Sequence, residues 1–228
     1  MSATDFSSTA EKYLYSRDVL RTKAKAEFFS REPAISDLIT EINEFVARSI
    51  LSLSGQDMRS VPHGLYIGDL VVSFTRTHFV VVDLVVCSEL TDATTLLRKQ
   101  FELLARLNEL SAAETIDHLL RRTPNLSALK TKIKALYGQY SQVAHSAATQ
   151  PLQLLGRIEH EGAERTVVYP VFQENAYVSL QHVASTVFEY YLWAHQFFSE
   201  HCDQYDGEWG AQWLPTVFKK LEAVYGSS

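Results

Sequence analysis

The stretch Leu70–Cys87, LVVSFTRTHFVVVDLVVC, decides how the rest of the chain is read. It is rich in Val, Thr and Phe, which favour extended backbone. As a strand it would sit at the centre of a sheet. Its length, with no turn residue inside, favours a buried helix instead. The segments on either side carry helical patterns, so helix is the consistent reading. Arg76, His78 and Asp83 interrupt the run, and a membrane span of about 20 apolar residues would hold those groups only at high cost. No membrane span is expected.

Working outward, Thr91 or Ser88 can cap a helix over Asp92–Leu110, with Asp92 in the first turn where the helix dipole favours a carboxylate. Leu96, Leu97, Phe101, Leu103, Leu104, Leu107 and Leu110 form a wide apolar arc on it. Gln100 and Asn108 fall inside that arc and need hydrogen-bond partners. Toward the N-terminus, Glu11–Phe29 reads as a charged helix. A second helix opens at Pro33 and stops near Leu53, before Ser54-Gly55. Toward the C-terminus come a short helix at Thr115–Arg122 ended by Pro124, and a long one at Leu126–His145. The pattern then changes to strand character at Leu152–Glu159 and Arg165–Phe172, separated by Glu161-Gly162-Ala163-Glu164. Ala176–His201 returns to a long amphipathic helix, and Trp213–Tyr225 closes the chain. The expected fold is all-α: one antiparallel helical bundle over residues 1–228, with a single small β-hairpin near 152–172.

Composition agrees with a folded globular chain. Its 228 residues are 46% hydrophobic, and only 9 are Gly and 6 Pro, which excludes disordered and collagen-like classes. The charge balance of 21 − 27 = −6 argues against long-range attraction to nucleic acid or anionic lipid. Two cysteines, Cys87 and Cys202, make no disulfide framework. Met1–Lys12 is polar and has no signal-peptide core, so a cytoplasmic setting is expected.

Chemistry-bearing residues are sparse. Arg98, Glu102 and Arg106 follow one another at four-residue spacing, opposite the leucine arc and together with Lys99 and Glu109. Such a ladder is either a solvated face worth about 0.3–0.5 kcal/mol per pair or a polar cluster covered by a neighbouring helix. Gly138, Ser141 and His145 share a face of another helix, where Gly and Ser permit close backbone approach. No acid is placed to orient His145, and no nucleophile elbow surrounds Ser141. None of the eight histidines has another three or four residues away, and no paired CxxC occurs, so neither metal nor cofactor is expected. His195 and the aromatics Tyr190, Tyr191, Trp193, Phe197 and Phe198 read as core. Trp209, Trp213, Phe218 and Tyr225 crowd the last helix with little chain after them, which suggests a homodimer or larger assembly.

The order of features is itself informative. A buried helix runs into Asp92-Ala93-Thr94-Thr95-Leu96-Leu97-Arg98-Lys99-Gln100-Phe101-Glu102. A helix ending Tyr140-Ser141-Gln142-Val143-Ala144-His145 follows, then a hairpin and a long aromatic helix. Over roughly Leu70 to Phe198 this resembles an uncharacterised bacterial all-helical family related to HEPN-like and abortive-infection proteins. The resemblance implies an antiparallel, often dimeric bundle that gathers Arg98, Glu102, Ser141 and His145 between helices. It also implies a role in phage defence or a toxin-type system. HEPN ribonucleases place an Arg shortly before a His on one helix, whereas here Tyr140 stands where the arginine would be. The leading expectation is a non-catalytic interaction and dimerisation module with a protein partner or a second copy. The alternative is a metal-independent endoribonuclease using His145 with Arg98, although the acidic charge disfavours nucleic acid as a partner.

Overall fold

The computed structural model describes residues 8–144 and 154–226. Helix α1 (Thr9–Arg31) opens at Ser8, whose hydroxyl accepts the Glu11 N–H. The remaining helices are α2 (Ile35–Leu51), α3 (Gly64–Val86), α4 (Leu90–Ser111), the short α5 (Asp117–Leu120), α6 (Lys134–Ala144), α7 (Asn175–His201) and α8 (Gly207–Tyr225). Strands β1 (Arg157–His160) and β2 (Ala163–Thr166) form an antiparallel hairpin, the one sheet among the described residues. The all-α class is observed, and no helix among the described residues is long and apolar enough to cross a membrane.

Leu70–Cys87 is helical because its polar residues demand it. A strand alternates its faces, so Arg76 would share one with Phe74, while Asp69 and Asp83 would share the other with Val71 and Val81. A helix resolves the conflict. Ile67, Leu70, Val71, Phe74, Val81, Val82 and Val85 are buried together, while Asp69, Arg76 and Asp83, seven residues apart, all lie exposed. The entry to α3 is tight: a Cβ on Gly64 would sit 2.0 Å from the Met58 carbonyl oxygen, so only glycine fits.

Helices α3 and α4 form an antiparallel pair across the short turn Cys87–Glu89, and α7 packs against both. Phe74 of α3 stacks on Tyr190 of α7 at 4.4 Å, and Phe45 of α2 meets Trp213 of α8 at 4.5 Å. The core runs as one cluster from Phe28 of α1 to Val217 of α8. Tyr190, Tyr191, Trp193, Phe197 and Phe198 all belong to it, as expected.

The C-terminal aromatics do not form the exposed patch expected of them. Helix α8 lies along α2, so Trp213 is 1% exposed and its indole N–H donates to the Glu41 carbonyl at 3.0 Å. Tyr225 donates to the Tyr177 carbonyl, and the Arg48 guanidinium sits over Trp209. Earlier helices cover these residues; later chain is not needed. Phe218 alone of the four stays open.

Other boundaries differ from expectation: α3 and α8 begin about two turns earlier, at Gly64 and Gly207. The helix expected over Leu126–His145 is broken: a 3₁₀ turn at Leu126–Ala128 gives way to extended backbone at Leu129, and α6 starts only at Lys134. The cause is tertiary. The carboxylate of Glu189, fully buried on α7, accepts the N–H groups of Lys130 at 2.6 Å and Thr131 at 2.8 Å, which takes them out of any helix. Among the described residues the hairpin is also shorter than expected, and Leu152 and Gln153 of the expected first strand lie outside them. It turns at Glu161-Gly162, both at positive φ, as a tight two-residue turn requires.

Candidate functional site

Helix α6 packs on α4 over two members of the expected cluster, Arg98 and Glu102, which already share α4. Arg98 and Glu102, one turn apart on α4, pair at 3.3 Å, with side chains 23% and 35% exposed. Tyr137 of α6 covers them. Its hydroxyl donates to Glu102 Oε1 at 2.7 Å, and the Arg98 guanidinium lies 5.2 Å from its ring centre. Partial burial and the bond to Glu102 hold the Tyr137 hydroxyl above its usual range, with Arg98 opposing. The Arg98 guanidinium is held up in turn, chiefly by its hydrogen bond to Tyr137. Each member of this cluster contacts the other two.

Ser141 is half-buried on α6, one turn beyond Tyr137. Among the described residues nothing lies within 4 Å of a Cβ added at Gly138, so no close backbone approach is seen there. His145 lies outside the described residues. Arg98, which the ribonuclease alternative requires to act with His145, is engaged by Glu102 and Tyr137.

The four-residue ladder does not continue. Arg106 turns away from Glu102 and pairs with Glu109 at 3.2 Å, with both side chains under 8% exposed. Glu109 also pairs with Arg122 at 2.7 Å and accepts the Asn125 N–H at 3.0 Å, while Arg106 donates to the Arg122 carbonyl at 2.6 Å. Glu109 was expected on the solvated face. It is instead the centre of a buried network, because the segment after α5 folds over it. The partners expected for the arc's polar residues are half present. Asn108 donates to the Leu104 carbonyl, but Gln100 is fully buried and its amide finds no partner among the described residues.

On the other side of α6, Tyr140 stacks on Phe101 and hydrogen-bonds to His182 Nδ1. Burial raises the Tyr140 hydroxyl far above its usual range and lowers the His182 imidazole, so both stay neutral. A groove of about 410 Å³ runs beside them between Ile133, Leu136, His182 and Phe188. His78, at the core of the bundle, donates from Nε2 to Asn43 Oδ1 at 2.8 Å, and burial pushes its pKa down to about 3. His195 meets Tyr205 at 3.1 Å and stacks on Tyr191, so it is satisfied, but it is half-buried at the edge of the core rather than inside it. Among the described residues, no group of three His, Cys, Asp or Glu is placed to hold a metal.

The feature that sequence reading missed is the outer face of α3. Leu65, Gly68, Asp69, Val72, Ser73, Arg76, Phe79 and Val80 follow helical spacing, and all are exposed or half-buried. Leu65 is 65% exposed, Val80 50% and Phe79 41%. Asp69 and Arg76 pair with no charged group among the described residues. The signal was present in Leu70–Cys87, which holds more Val and Phe than one buried helix face can use.

In comparisons with known proteins, no family model, curated protein or solved structure matches this chain.

Proposed function

We propose that the chain is a non-catalytic helical module that acts by association, with the outer face of α3 as its contact surface. This is the role implied by the resemblance to HEPN-like and abortive-infection proteins, whose setting is phage defence or a toxin-type system. The observation that carries it is the apolar stripe of Leu65, Val72, Phe79 and Val80 on a helix whose other side is fully packed. Contiguous exposed apolar surface of this kind marks interaction sites, since water is a poor neighbour for it. The polar clusters support the same reading. Arg98 and Glu102 form an ion pair covered by Tyr137, and the Tyr140–His182 pair is held uncharged.

The test is the mass in solution by light scattering, for the wild type and for Val80→Asp and Phe79→Ser. Association of the wild type, lost in both variants at unchanged thermal midpoint, is the expected result. A monomeric wild type, or variants that associate as well as it does, overturns the assignment to this face.

A further inference from the structure

Resting on that reading, we infer that the occupant of the α3 face is a second copy of this chain, with the two α3 helices packed antiparallel about a two-fold axis between Val72 and Ser73. A two-fold interface must be complementary to itself: whatever residue i meets, its partner must meet in return. The α3 stripe has that property in one antiparallel register. Leu65 falls opposite the partner's Val80, and Tyr66 opposite the partner's Phe79, so apolar side chains meet at both ends. Val72 and Ser73 face each other across the axis, beside Gly68, around which the surface is open. Small side chains there let the two backbones approach closely.

The charges single out the same register. Asp69 and Arg76 are seven residues apart, about 10 Å along the axis at 1.5 Å per residue, and lie on the same side of the helix. Within one chain neither has an ion-pair partner among the described residues. In the antiparallel pair each Asp69 lies level with the partner's Arg76, so two symmetric ion pairs form at once. A parallel arrangement would set Asp69 against Asp69 and Arg76 against Arg76. The next charge along the helix, Asp83, is already taken by Arg21 and Lys25 of α1, which lie against that end of α3. The free stripe therefore ends where the self-complementary register ends.

Light scattering on the full chain should give twice its 25.8 kDa at micromolar concentration. Asp69→Arg alone and Arg76→Asp alone each set like charges opposite one another and should weaken the dimer about tenfold or more. The double variant Asp69→Arg/Arg76→Asp restores complementarity and should recover wild-type association. Disulfide trapping fixes the direction: Cys87 and Cys202 are both buried, so introduced thiols are the reactive ones. An oxidised equal mixture of Leu65→Cys and Val80→Cys should yield the mixed disulfide, while each variant alone stays unlinked. Homodisulfides from each variant alone, or a double charge variant as weak as the singles, overturn the antiparallel register and leave the interaction module standing. A monomeric wild type overturns both.

Discussion

Replacing Glu109 by Ala should damage the fold far more than replacing Glu102, although both are glutamates of α4 with an arginine partner within one turn. The Glu109 side chain is 7% exposed and Arg106 beside it 6%. Removing the carboxylate leaves the Arg106 guanidinium buried with the Arg122 carbonyl as its remaining acceptor, and takes the acceptor from the Asn125 N–H. Breaking a buried pair from one side costs about 3–5 kcal/mol. Glu102 is 35% exposed and Arg98 23%, so water replaces much of what is lost. The ion pair there is worth about 0.5 kcal/mol and the Tyr137 hydrogen bond to a charged acceptor about 1.5 kcal/mol, about 1–2 kcal/mol together. With a urea m-value of about 3 kcal/mol per molar for a chain of this size, the midpoint should drop by about 1–1.7 M for Glu109→Ala and about 0.5 M for Glu102→Ala. Far-UV circular dichroism follows both unfolding curves. Glu109→Gln keeps the acceptor for Asn125 but not the charge, and should fall between them. Equal shifts, or the reverse order, would refute the claim that burial decides the difference.

Three further outcomes follow from the buried groups. His78 resists protonation in the folded chain down to about pH 3, against 6.5 when unfolded, so its contribution is intact above pH 6.5 and is lost as pH falls below it. Stability should then decline by about 1.4 kcal/mol per pH unit from this group. His78→Leu should flatten that slope by about one proton's worth, with His182 and His195 unchanged as background, and identical slopes would contradict the assignment. Glu189→Ala should cost about 2–4 kcal/mol and speed amide exchange from Lys130 through Ala144, because two buried N–H groups lose their acceptor; unchanged exchange there would show that the carboxylate does not hold α6 in place. Burial raises the Cys202 thiol to about 11 and the Cys87 thiol above its ordinary value, so neither should react with a thiol reagent in the native state, and both should react in denaturant. Fast labelling of either in the native chain would contradict that burial.

What was legible in the sequence was local. The leucine arc of α4 and the aromatic wall of α7 each declare themselves within a few turns of helix, because the period alone sorts their faces. Contacts made at long range left no such mark. Glu189 stands among aromatics on α7, and the N–H groups it captures belong to residues 130 and 131, so nothing near it announces that it will break the preceding helix. Arg106 and Glu109 look like any solvated pair until the segment around Arg122 and Asn125 is folded over them. Trp213 and Tyr225 suggested an uncovered end for the opposite reason. The chain that covers them, α2 and the start of α7, comes long before them in sequence.

The helix–strand decision at Leu70–Cys87 and the proposed interface turn on the same residues. Asp69, Arg76 and Asp83 recur every seven positions, and that period is what makes a helix the only arrangement with one dry face. It also draws the line of the wet face, and so shows what stands between the charges. A helix side meant only for water would carry polar residues at 65, 72, 79 and 80, at no cost to the packed side. This one carries Leu, Val, Phe and Val. Asp83 is neutralised within the chain by α1, whereas Asp69 and Arg76 have no ion-pair partner among the described residues and stand as a pair of opposite sign, evenly placed about Val72 and Ser73. Chance exposure of apolar side chains does not also place opposite charges symmetrically about their midpoint. An antiparallel copy of the same helix satisfies both observations at once.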